Sequence, residues 1–551
     1  MTDASKSLRG PLGRFAKLTS LLLIVTLGVA LATAETKAED YDDDGYYAKH
    51  YDKEKLQKLI RKIFDRQIRV RKVYKHLEVL QGIADRNDDN RASGTTGYDE
   101  SVDYVVEQTR RKGYDVVRQA FEFPFFQELS DPALDRISPD PTVFPPNTAE
   151  TFVTMQYSGS GDVTAPIEVV DVILPPAPDA NTSTSGCEAE DFAGFTAGRI
   201  ALVQRGSCTF FLKAQNAENA GAVGVIIFNE GQDGRTDSIN GTLGDPAITI
   251  PVLGASFAIG NELAGQAAAG DVSVRVAVEA LSEFRTTENV IADLPAWPHQ
   301  EGKPVIVLGA HLDSVEEGPG IQDNGTGSGA ILEIARKLRP WSYFLKNRVR
   351  FAWWGAEESG LLGSEFYVAN LTAEEQAEIA MNLNFDMIAS PNFVPFVYDG
   401  DGSDTDPAGP PGSEIIEQVF NDAMLARGVN PQPTQFSGRS DYGPFIAVGI
   451  PAGGLFTGAE GIKTEEQAAE YGGTAGEQYD SCYHTPCDTI DNVALEPLEL
   501  NSKVAADVML QFAFGELPLV PPAAALSALS ASSATAASGY DFEYLGSHLR
   551  K

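Results

Sequence analysis

The pattern of apolar and polar positions changes its period several times along the chain. From about Lys53 to Ile83, apolar residues recur at spacings of three, four and seven, which predicts helix. A second helix is predicted near Tyr98–Lys112, and Tyr114–Phe123 alternates like a half-buried strand. From about Thr286 onward, strand-like and helix-like runs alternate, which indicates a mostly parallel sheet covered by helices on both faces.

A stretch of different character separates these two parts. A proline-rich passage from Pro132 to Pro146 indicates a boundary, and the chain from there to about Ala280 has short β-rich runs and few charges. We therefore predict an α/β fold with a mixed, mostly parallel central sheet flanked by helices and a smaller β-rich inserted domain. The predicted parts are the first part of the α/β domain at 53–144, the insert at 145–280, the second part of the α/β domain at 281–516 and a low-complexity tail at 517–551.

The amino-terminal residues have the features of a secretory signal. Basic residues between Lys6 and Lys17 precede an apolar run, Ser20–Leu31, and a small-residue cleavage site, Ala32–Ala34. The apolar run has 12 residues, too few to cross a hydrocarbon core of about 30 Å. We predict a signal peptide at 1–34, an acidic disordered segment or pro-segment at 35–52, secretion, and no stable membrane anchor.

Composition narrows the class of protein. The 551 residues are 43% hydrophobic and 22% charged, which is typical of a soluble globular protein of two or three domains. The formal net charge of −36 repels phosphate backbones, so nucleic acid is not an expected partner. We expect a monomer.

The four cysteines are expected to form two disulfides, since an even number in an exported chain is typical of disulfide pairing. Three pairings are possible, and the short separations favour Cys187–Cys208 and Cys482–Cys487. A zinc site made of the four cysteines is the alternative, but no Cys-x-x-Cys spacing occurs.

Residue types that bind metal follow three apolar, strand-like runs. The first run leads to His311 and Asp313, the second to Glu357 and Glu358, and the third to Asp386. Because ligands bind at the carboxyl ends of strands in open α/β sheets, these side chains are expected to meet at one edge. Two further segments carry the same residue types, the glycine-rich turn with Asp323 and the loop with Tyr483 and His484.

The spacing of these residues suggests different roles. His311 and Asp313 are two residues apart and face the same way on an extended chain, so Asp313 can accept the free ring N–H of His311. Glu357 and Glu358 are adjacent and must diverge, so one can bind metal while the other faces substrate. Asp323 has two oxygens that can bridge two cations. Histidine and carboxylate ligands with open positions suit catalytic zinc.

Five segments closely resemble the secreted two-zinc aminopeptidases. They are Gly309-Ala-His-Leu-Asp-Ser314, Asp323-Asn-Gly-Thr-Gly-Ser-Gly329, Trp354-Gly-Ala-Glu-Glu-Ser-Gly-Leu-Leu-Gly-Ser364, Asn384-Phe-Asp-Met387 and Tyr483-His484. The resemblance implies that His311 and Asp386 bind one zinc ion, that Glu358 and His484 bind the other, and that Asp323 bridges them. It also implies that Glu357 is the general base, that Asp313 orients His311, and that Tyr483 stabilises the oxyanion.

Further segments extend the resemblance over nearly all of the chain between the predicted signal and about residue 515. The segments around Arg439 and Phe456 are similar to those that line the family's substrate pocket, and Gly198–Asn229 resembles a protease-associated domain. The resemblance implies a zinc exopeptidase fold with residues 281–516 as its catalytic part, two Zn²⁺ per chain, and peptide or protein N-termini as substrate.

Three other functions are possible for such an architecture. A glutaminyl cyclase resembles this fold but uses one metal ion and lacks the insert. A dipeptide-directed carboxypeptidase would carry a helical dimerisation domain after the peptidase part, where this chain has a low-complexity tail. A non-catalytic receptor ectodomain would have lost ligands or the base, whereas every such position is filled here.

Overall fold

A computed structural model describes residues 53–515 and 517 of the chain. The predicted signal at 1–34, the acidic segment at 35–52, and the tail at 517–551 apart from Leu517 lie outside the described residues. The chain divides into a small unit, Met1–Lys58, of which only the first turns of a helix are described, and a large unit, Leu59–Lys551, which carries all the features below.

Three helices and then four strands open the described part of the chain, and from about residue 305 onward strands and helices mostly alternate, as the sequence predicts for the part after about Thr286. The helices are α1 Lys53–Asp65, α2 Val70–Ala84, α3 Thr96–Arg110, α4 Phe210–Asn219, α5 Phe257–Ala267, α6 Thr326–Leu338, α7 Leu362–Ala369, α8 Ala373–Glu378, α9 Ser413–Leu425, α10 Gly443–Ala447, α11 Glu465–Tyr471 and α12 Leu495–Phe514. The strands are β1 Asp115–Ser138, β2 Thr142–Phe144, β3 Phe152–Thr154, β4 Gly161–Val170, β5 Ile200–Gln204, β6 Gly224–Phe228, β7 Val252–Ala255, β8 Ser273–Asp293, β9 Val305–His311, β10 Arg348–Trp354, β11 Ile379–Phe385, β12 Phe396–Tyr398, β13 Gln432–Thr434 and β14 Ala452–Phe456.

The centre of the sheet is parallel. Strands β10, β9, β11 and β14 lie side by side in that order and run in the same direction. Every residue of β9 is buried, and so are most residues of β10 and β11, because helices cover both faces of the sheet. The antiparallel strands β8 and β12 flank this centre. The predicted mixed, mostly parallel sheet is confirmed.

A long two-stranded ribbon joins this sheet to the insert. Strand β1 pairs with β8 over nearly its full length, and one end of β8 pairs with β10 while the other end pairs with β4. Beyond β4 the insert continues the sheet through β5, β6 and β7, which are parallel, with α4 and α5 packed beside them. The insert is thus placed at a defined position relative to the central sheet.

Two local patterns fold differently from the sequence expectation. The single helical pattern at 53–83 forms two helices, because Arg69 is extended while Phe64 and Ile68 are both buried; packing of this turn overrides the helical periodicity. The proline-rich passage does not end β1, since Pro132 falls at a register shift between Ser130 and Ala133, where a strand tolerates proline.

The insert's hydrophobic core also includes residues from before 145. Leu134 on β1 and Phe144 on β2 pack with Ile167, Leu202 and Ile226. The ribbon therefore contributes to the insert at one end and to the α/β domain at the other.

Both disulfides form as the spacing predicts. Cys187 pairs with Cys208 in the insert, and Cys482 pairs with Cys487 around the segment that carries His484. Among the described residues, none of the helices is long and apolar enough to cross a bilayer.

Candidate metal centre

The predicted ligands lie where three neighbouring parallel strands end. His311 is the last residue of β9, Asp386 directly follows β11, and Glu357 and Glu358 come shortly after β10. Because β10, β9 and β11 are adjacent and parallel, their carboxyl ends meet at one edge of the sheet. Side chains that are up to 75 positions apart in the sequence thereby come within hydrogen-bond distance.

One group of candidate ligands surrounds the Nε2 atom of His311. This atom lies 3.1 Å from Asp323 Oδ1 and 3.2 Å from Asp386 Oδ1, and the histidine is only 1% exposed. The other ring nitrogen, Nδ1, lies 3.2 Å from the backbone carbonyl oxygen of Asp313 and 3.5 Å from its Oδ1 atom. The structure thus places Asp313 on the side of the ring opposite the two carboxylates.

A second group surrounds His484, which lies in the loop closed by Cys482–Cys487. Its Nε2 atom is 2.9 Å from Glu358 Oε2 and 3.3 Å from Asp323 Oδ2. Asp323 therefore directs one oxygen to His311 and the other to His484. The side chain of His484 is 36% exposed, whereas that of His311 is 1% exposed, so the second group is the more accessible one.

The electrostatics of this cluster favour bound cations. Burial raises the pKa of Glu357 well above its usual range and also raises the pKa of Glu358. Burial opposes protonation of His484, but Glu358 and Asp323 outweigh it and raise the pKa of that histidine to about 11. Two histidines cannot balance all the buried carboxylates, so the site would be stabilised by positive charge.

The donor atoms fit two metal ions. His311, Asp323 and Asp386 offer three ligand atoms within 4.8 Å of one another, and so do Asp323, Glu358 and His484. Each group combines histidine nitrogen with carboxylate oxygen, a donor set that zinc accepts, and each has fewer than four protein ligands. A substrate or water could therefore complete the coordination.

The loop that carries Asp323 is held by Asp488, to which the sequence assigned no role. The carboxylate of Asp488 accepts hydrogen bonds from the backbone N–H of Gln322 at 2.8 Å and of Asp323 at 3.0 Å. The side chain of Asn324 donates to the carbonyl of Phe385 at 2.9 Å, which ties the same loop to the end of β11. The loop is thereby fixed relative to both neighbouring ligand segments.

Arg91 is another residue whose role the sequence did not reveal. It is fully buried, and its guanidinium donates to the backbone carbonyls of Leu312, Pro319 and Gly320. Burial lowers the pKa of Arg91 to about 10. These contacts connect the segment after β9 with the loop before Asp323, so Arg91 positions both without contacting either metal group.

Ser440 lies against one of the predicted ligands. Its Oγ donates to Asp386 Oδ2 at 2.6 Å and accepts from Asn384 Nδ2 at 2.8 Å. The Oδ1 atom of Asp386 faces His311, so the serine holds the oxygen that points away from the candidate metal position. The sequence placed this segment at the substrate pocket and did not distinguish the serine.

Replacing Ser440 by alanine should weaken zinc binding about 10- to 100-fold, the usual cost of losing a group that orients a metal ligand. The measurement is zinc affinity by titration against a competing chelator. Ser437→Ala is the matched control, because Ser437 lies in the same loop and contacts Tyr442 instead of a ligand. Equal affinities for the two variants would contradict this role.

A cavity of about 920 Å³ opens over the cluster. Glu357, Glu358, Tyr483 and His484 line it, and so does Arg439. Arg439 donates to Glu460 Oε1 at 2.7 Å and to the hydroxyl oxygen of Tyr483 at 3.2 Å. The ring of Tyr483 stacks on that of His484, with centroids 3.8 Å apart.

Phe456, the other residue predicted to contact substrate, is not among the lining residues of this cavity. Its ring stacks instead on Phe396, with centroids 6.0 Å apart.

Two family models match the chain. The model of peptidase family M28 matches residues 289–509, which include all the predicted metal ligands. The PA domain model matches residues 164–263, within the insert.

Curated relatives match over most of the chain. An aminopeptidase of Pseudomonas aeruginosa is 48% identical over 440 residues, which are 79% of this chain and 79% of the relative. A probable leucine aminopeptidase 2 of Aspergillus fumigatus is 39% identical over 436 residues, which are 79% of this chain and 81% of the relative.

Solved structures match the same fold. An aminopeptidase from Aneurinibacillus sp. strain AM-1 is 27% identical with a TM-score of 0.61, over 84% of this chain and 98% of that one. BSAP, a zinc aminopeptidase from Bacillus subtilis, is 24% identical with a TM-score of 0.53, over 82% of this chain and 96% of that one, and supports the fold alone. The chain therefore belongs to peptidase family M28, and the prediction that it is a metalloexopeptidase with an inserted protease-associated domain is confirmed.

Proposed function

We propose that this chain is a secreted, zinc-dependent aminopeptidase that binds two zinc ions and removes N-terminal residues from peptides and proteins. The observation that carries the proposal is the position of Asp323, whose two oxygens face two histidines from opposite ends of the catalytic part. His311 and Asp386 complete the first ligand group, and Glu358 and His484 complete the second.

Zinc bound at these two groups would supply a Lewis acid for the scissile carbonyl and lower the pKa of a water molecule. The chain's own residues then orient the metal ligands and transfer protons. Asp313 would keep the His311 ring in the tautomer that leaves Nε2 free to bind metal, since Asp313 lies beside Nδ1.

Glu357 is the proposed general base. It lies beside the two ligand groups without being required by either, it lines the cavity, and burial raises its pKa well above the usual range of a carboxyl group. Its carboxylate would take a proton from the attacking water and pass it to the leaving amine.

Tyr483 is the proposed oxyanion contact. Its hydroxyl oxygen accepts a hydrogen bond from Arg439, so the hydroxyl hydrogen remains available to a substrate oxygen. A donor at this position would stabilise negative charge that develops on the carbonyl oxygen.

The charge of the cavity supports a preference for a free amino terminus. Glu316 and Glu317 line it together with Glu357 and Glu358, and a substrate's α-ammonium group is attracted to such a surface.

Export is supported by the two disulfides, which leave no free cysteine among the described residues.

A panel of aminoacyl-p-nitroanilides tests the proposed function. Substrates with a free amine should be hydrolysed, those with an acetylated amine should not, and a chelator should abolish hydrolysis until zinc is restored. Hydrolysis of the acetylated substrates at comparable rates, or activity that survives complete removal of zinc, would contradict the proposal.

The disulfide beside His484 should matter more for zinc than for folding. Closing a loop of this length contributes only about 2 kcal/mol to the free energy of unfolding, against about 3 kcal/mol for the longer loop of Cys187–Cys208. Replacing Cys482 and Cys487 by serine should lower zinc affinity at a temperature where the variant is still folded, because the loop no longer holds His484.

The matched control is the double replacement of Cys187 and Cys208 by serine, which should lower thermal stability and leave zinc affinity unchanged. Zinc affinity is measured by competition with a chelator, and the melting temperature is measured by circular dichroism. Simultaneous loss of zinc and of folded structure in the Cys482/Cys487 variant would exclude a specific role in holding the ligand.

A further inference from the structure

The insert forms one wall of the cavity above the metal centre. Glu357, Glu358, Tyr483 and His484 line one side, while the insert lines another with the segment Arg205–Phe210 and with residues 240–242. The cavity volume of about 920 Å³ is near the upper end for ligand pockets, so it can hold several residues of a peptide. A peptide whose first residue lies at the metal centre would therefore extend toward the insert.

The charges on these walls are distributed unevenly. Four glutamates of the catalytic part, Glu316, Glu317, Glu357 and Glu358, line the cavity. A fifth, Glu128 on β1, lies near the insert and accepts a hydrogen bond from the side chain of Thr154. Two arginines line the cavity as well. Arg439 already donates to Glu460 and to Tyr483, which leaves Arg205 of the insert as the arginine to be explained.

Arg205 lacks a carboxylate partner among the residues that the structure describes. Its guanidinium lies over the ring of Phe210, 5.8 Å from the centroid. The acidic residue that acts on the charge of Arg205 is Glu230. The carboxylate of Glu230 already accepts hydrogen bonds from the side chain of Arg235 at 3.1 Å and from the backbone N–H of Asn181 at 3.0 Å. Arg205 is thus a half-buried arginine that lines the cavity of a strongly acidic chain and has no carboxylate counter-charge within the described part of the chain.

A short peptide has the complementary charge distribution. Its α-ammonium group is positive and suits the glutamate side, and its C-terminal carboxylate is negative and suits a guanidinium, which binds carboxylates with two parallel hydrogen bonds. We propose that Arg205 binds the C-terminal carboxylate of short peptides, so that the substrate class of this enzyme is short peptides with a free C terminus. The proposal rests on the aminopeptidase function proposed above. It implies that the insert determines which peptide length the enzyme prefers.

The test compares peptides that differ only at the C terminus. Leucine followed by one to five glycines is prepared both as the free acid and as the C-terminal amide, and kcat/KM is measured for each. The wild-type enzyme should prefer the acid over the amide by about tenfold or more at one chain length, as expected for a hydrogen bond between charged groups. The preference should be smaller at shorter and longer lengths, because an extended chain advances about 3.3–3.6 Å per residue.

Arg205→Met keeps most of the side-chain length and removes the charge, so the acid-to-amide ratio should fall to about 1. Arg205→Lys should retain part of the preference, because it keeps the charge without the paired donors. Arg199→Met is the matched control in the insert, since Arg199 pairs with Glu168 and Asp271 and does not line the cavity. This control should keep the wild-type ratio.

Hydrolysis of leucine p-nitroanilide separates the two proposals. A wild-type enzyme that cleaves this substrate but shows an acid-to-amide ratio near 1 at every length would overturn the role of Arg205 and leave the aminopeptidase function intact. The acid-to-amide ratio of the wild-type enzyme is measured without any variant, so the inference remains testable if Arg205→Met does not fold. A wild-type ratio that persists unchanged in Arg205→Met would also overturn it. Absence of any free-amine hydrolysis by the zinc-loaded wild type would overturn both proposals.

Discussion

Glu357→Gln should remove most of the turnover and leave two zinc ions bound per chain. The amide cannot accept the proton from water, and loss of a general base lowers kcat by about 10²- to 10⁴-fold. Glutamine keeps the size of the side chain and its backbone contact, in which the N–H of residue 357 donates to Asp313 Oδ1 at 3.4 Å. The measurements are kcat on leucine p-nitroanilide and zinc content by atomic absorption.

The same variant distinguishes a general base from a metal ligand, because the position of Glu357 allows either role. Its carboxylate forms a third close group with His311 and Glu358. Loss of one zinc ion in Glu357→Gln would assign it to metal binding, and activity within tenfold of wild type would show that another group is the base. Glu365→Gln on α7 is the control, since that side chain is exposed and does not line the cavity, and both quantities should stay at the wild-type values.

Asp323→Asn should have the opposite signature, with loss of zinc as the primary effect. Asp323 is shared by the two ligand groups, and one oxygen faces each histidine. An amide has one oxygen and no charge, so it cannot bridge two cations. Zinc content should fall from two to one or fewer per chain, and activity should fall below about 1% of wild type because the site loses the ions that supply the Lewis acid.

The matched control for Asp323→Asn is Asp401→Asn. Asp401 belongs to another close group of carboxylates, with Asp399 and Glu417, which contains no histidine. This replacement removes one acidic charge in the same way and should change neither zinc content nor kcat. Retention of two zinc ions by Asp323→Asn after dialysis against chelator would show that Asp323 does not bridge the metal site.

Much of the fold and the composition of the site could be predicted from the sequence. His311 and Asp386 are recognisable because each follows a run of apolar residues, and the parallel order of β10, β9 and β11 then brings these strand ends together. The disulfide partners are only 21 and 5 residues apart, so chain proximity itself favours the observed pairing. The break between α1 and α2 was not predicted, since the apolar spacing continues through it.

The supporting residues of the site could not be identified in this way. Asp488 holds the loop of Asp323 from 165 residues away, Arg91 reaches carbonyls more than 200 residues away, and Ser440 contacts a ligand 54 residues earlier. None of these has a distinctive local pattern, because a serine, an arginine or an aspartate in a polar loop is ordinary.

The sequence by itself determined which residues offer metal-ligand atoms and which of them follow apolar strands, because periodicity and ligand chemistry are local properties of the chain. Only the tertiary structure decided that Asp323 directs one oxygen to each histidine and that Ser440, Asp488 and Arg91 hold the ligand segments. It also decided that the long β1–β8 ribbon brings the insert, with Arg205, to the cavity over the metal centre. The physical reason is that these contacts depend on how the strands are ordered and paired, which apolar spacing does not specify.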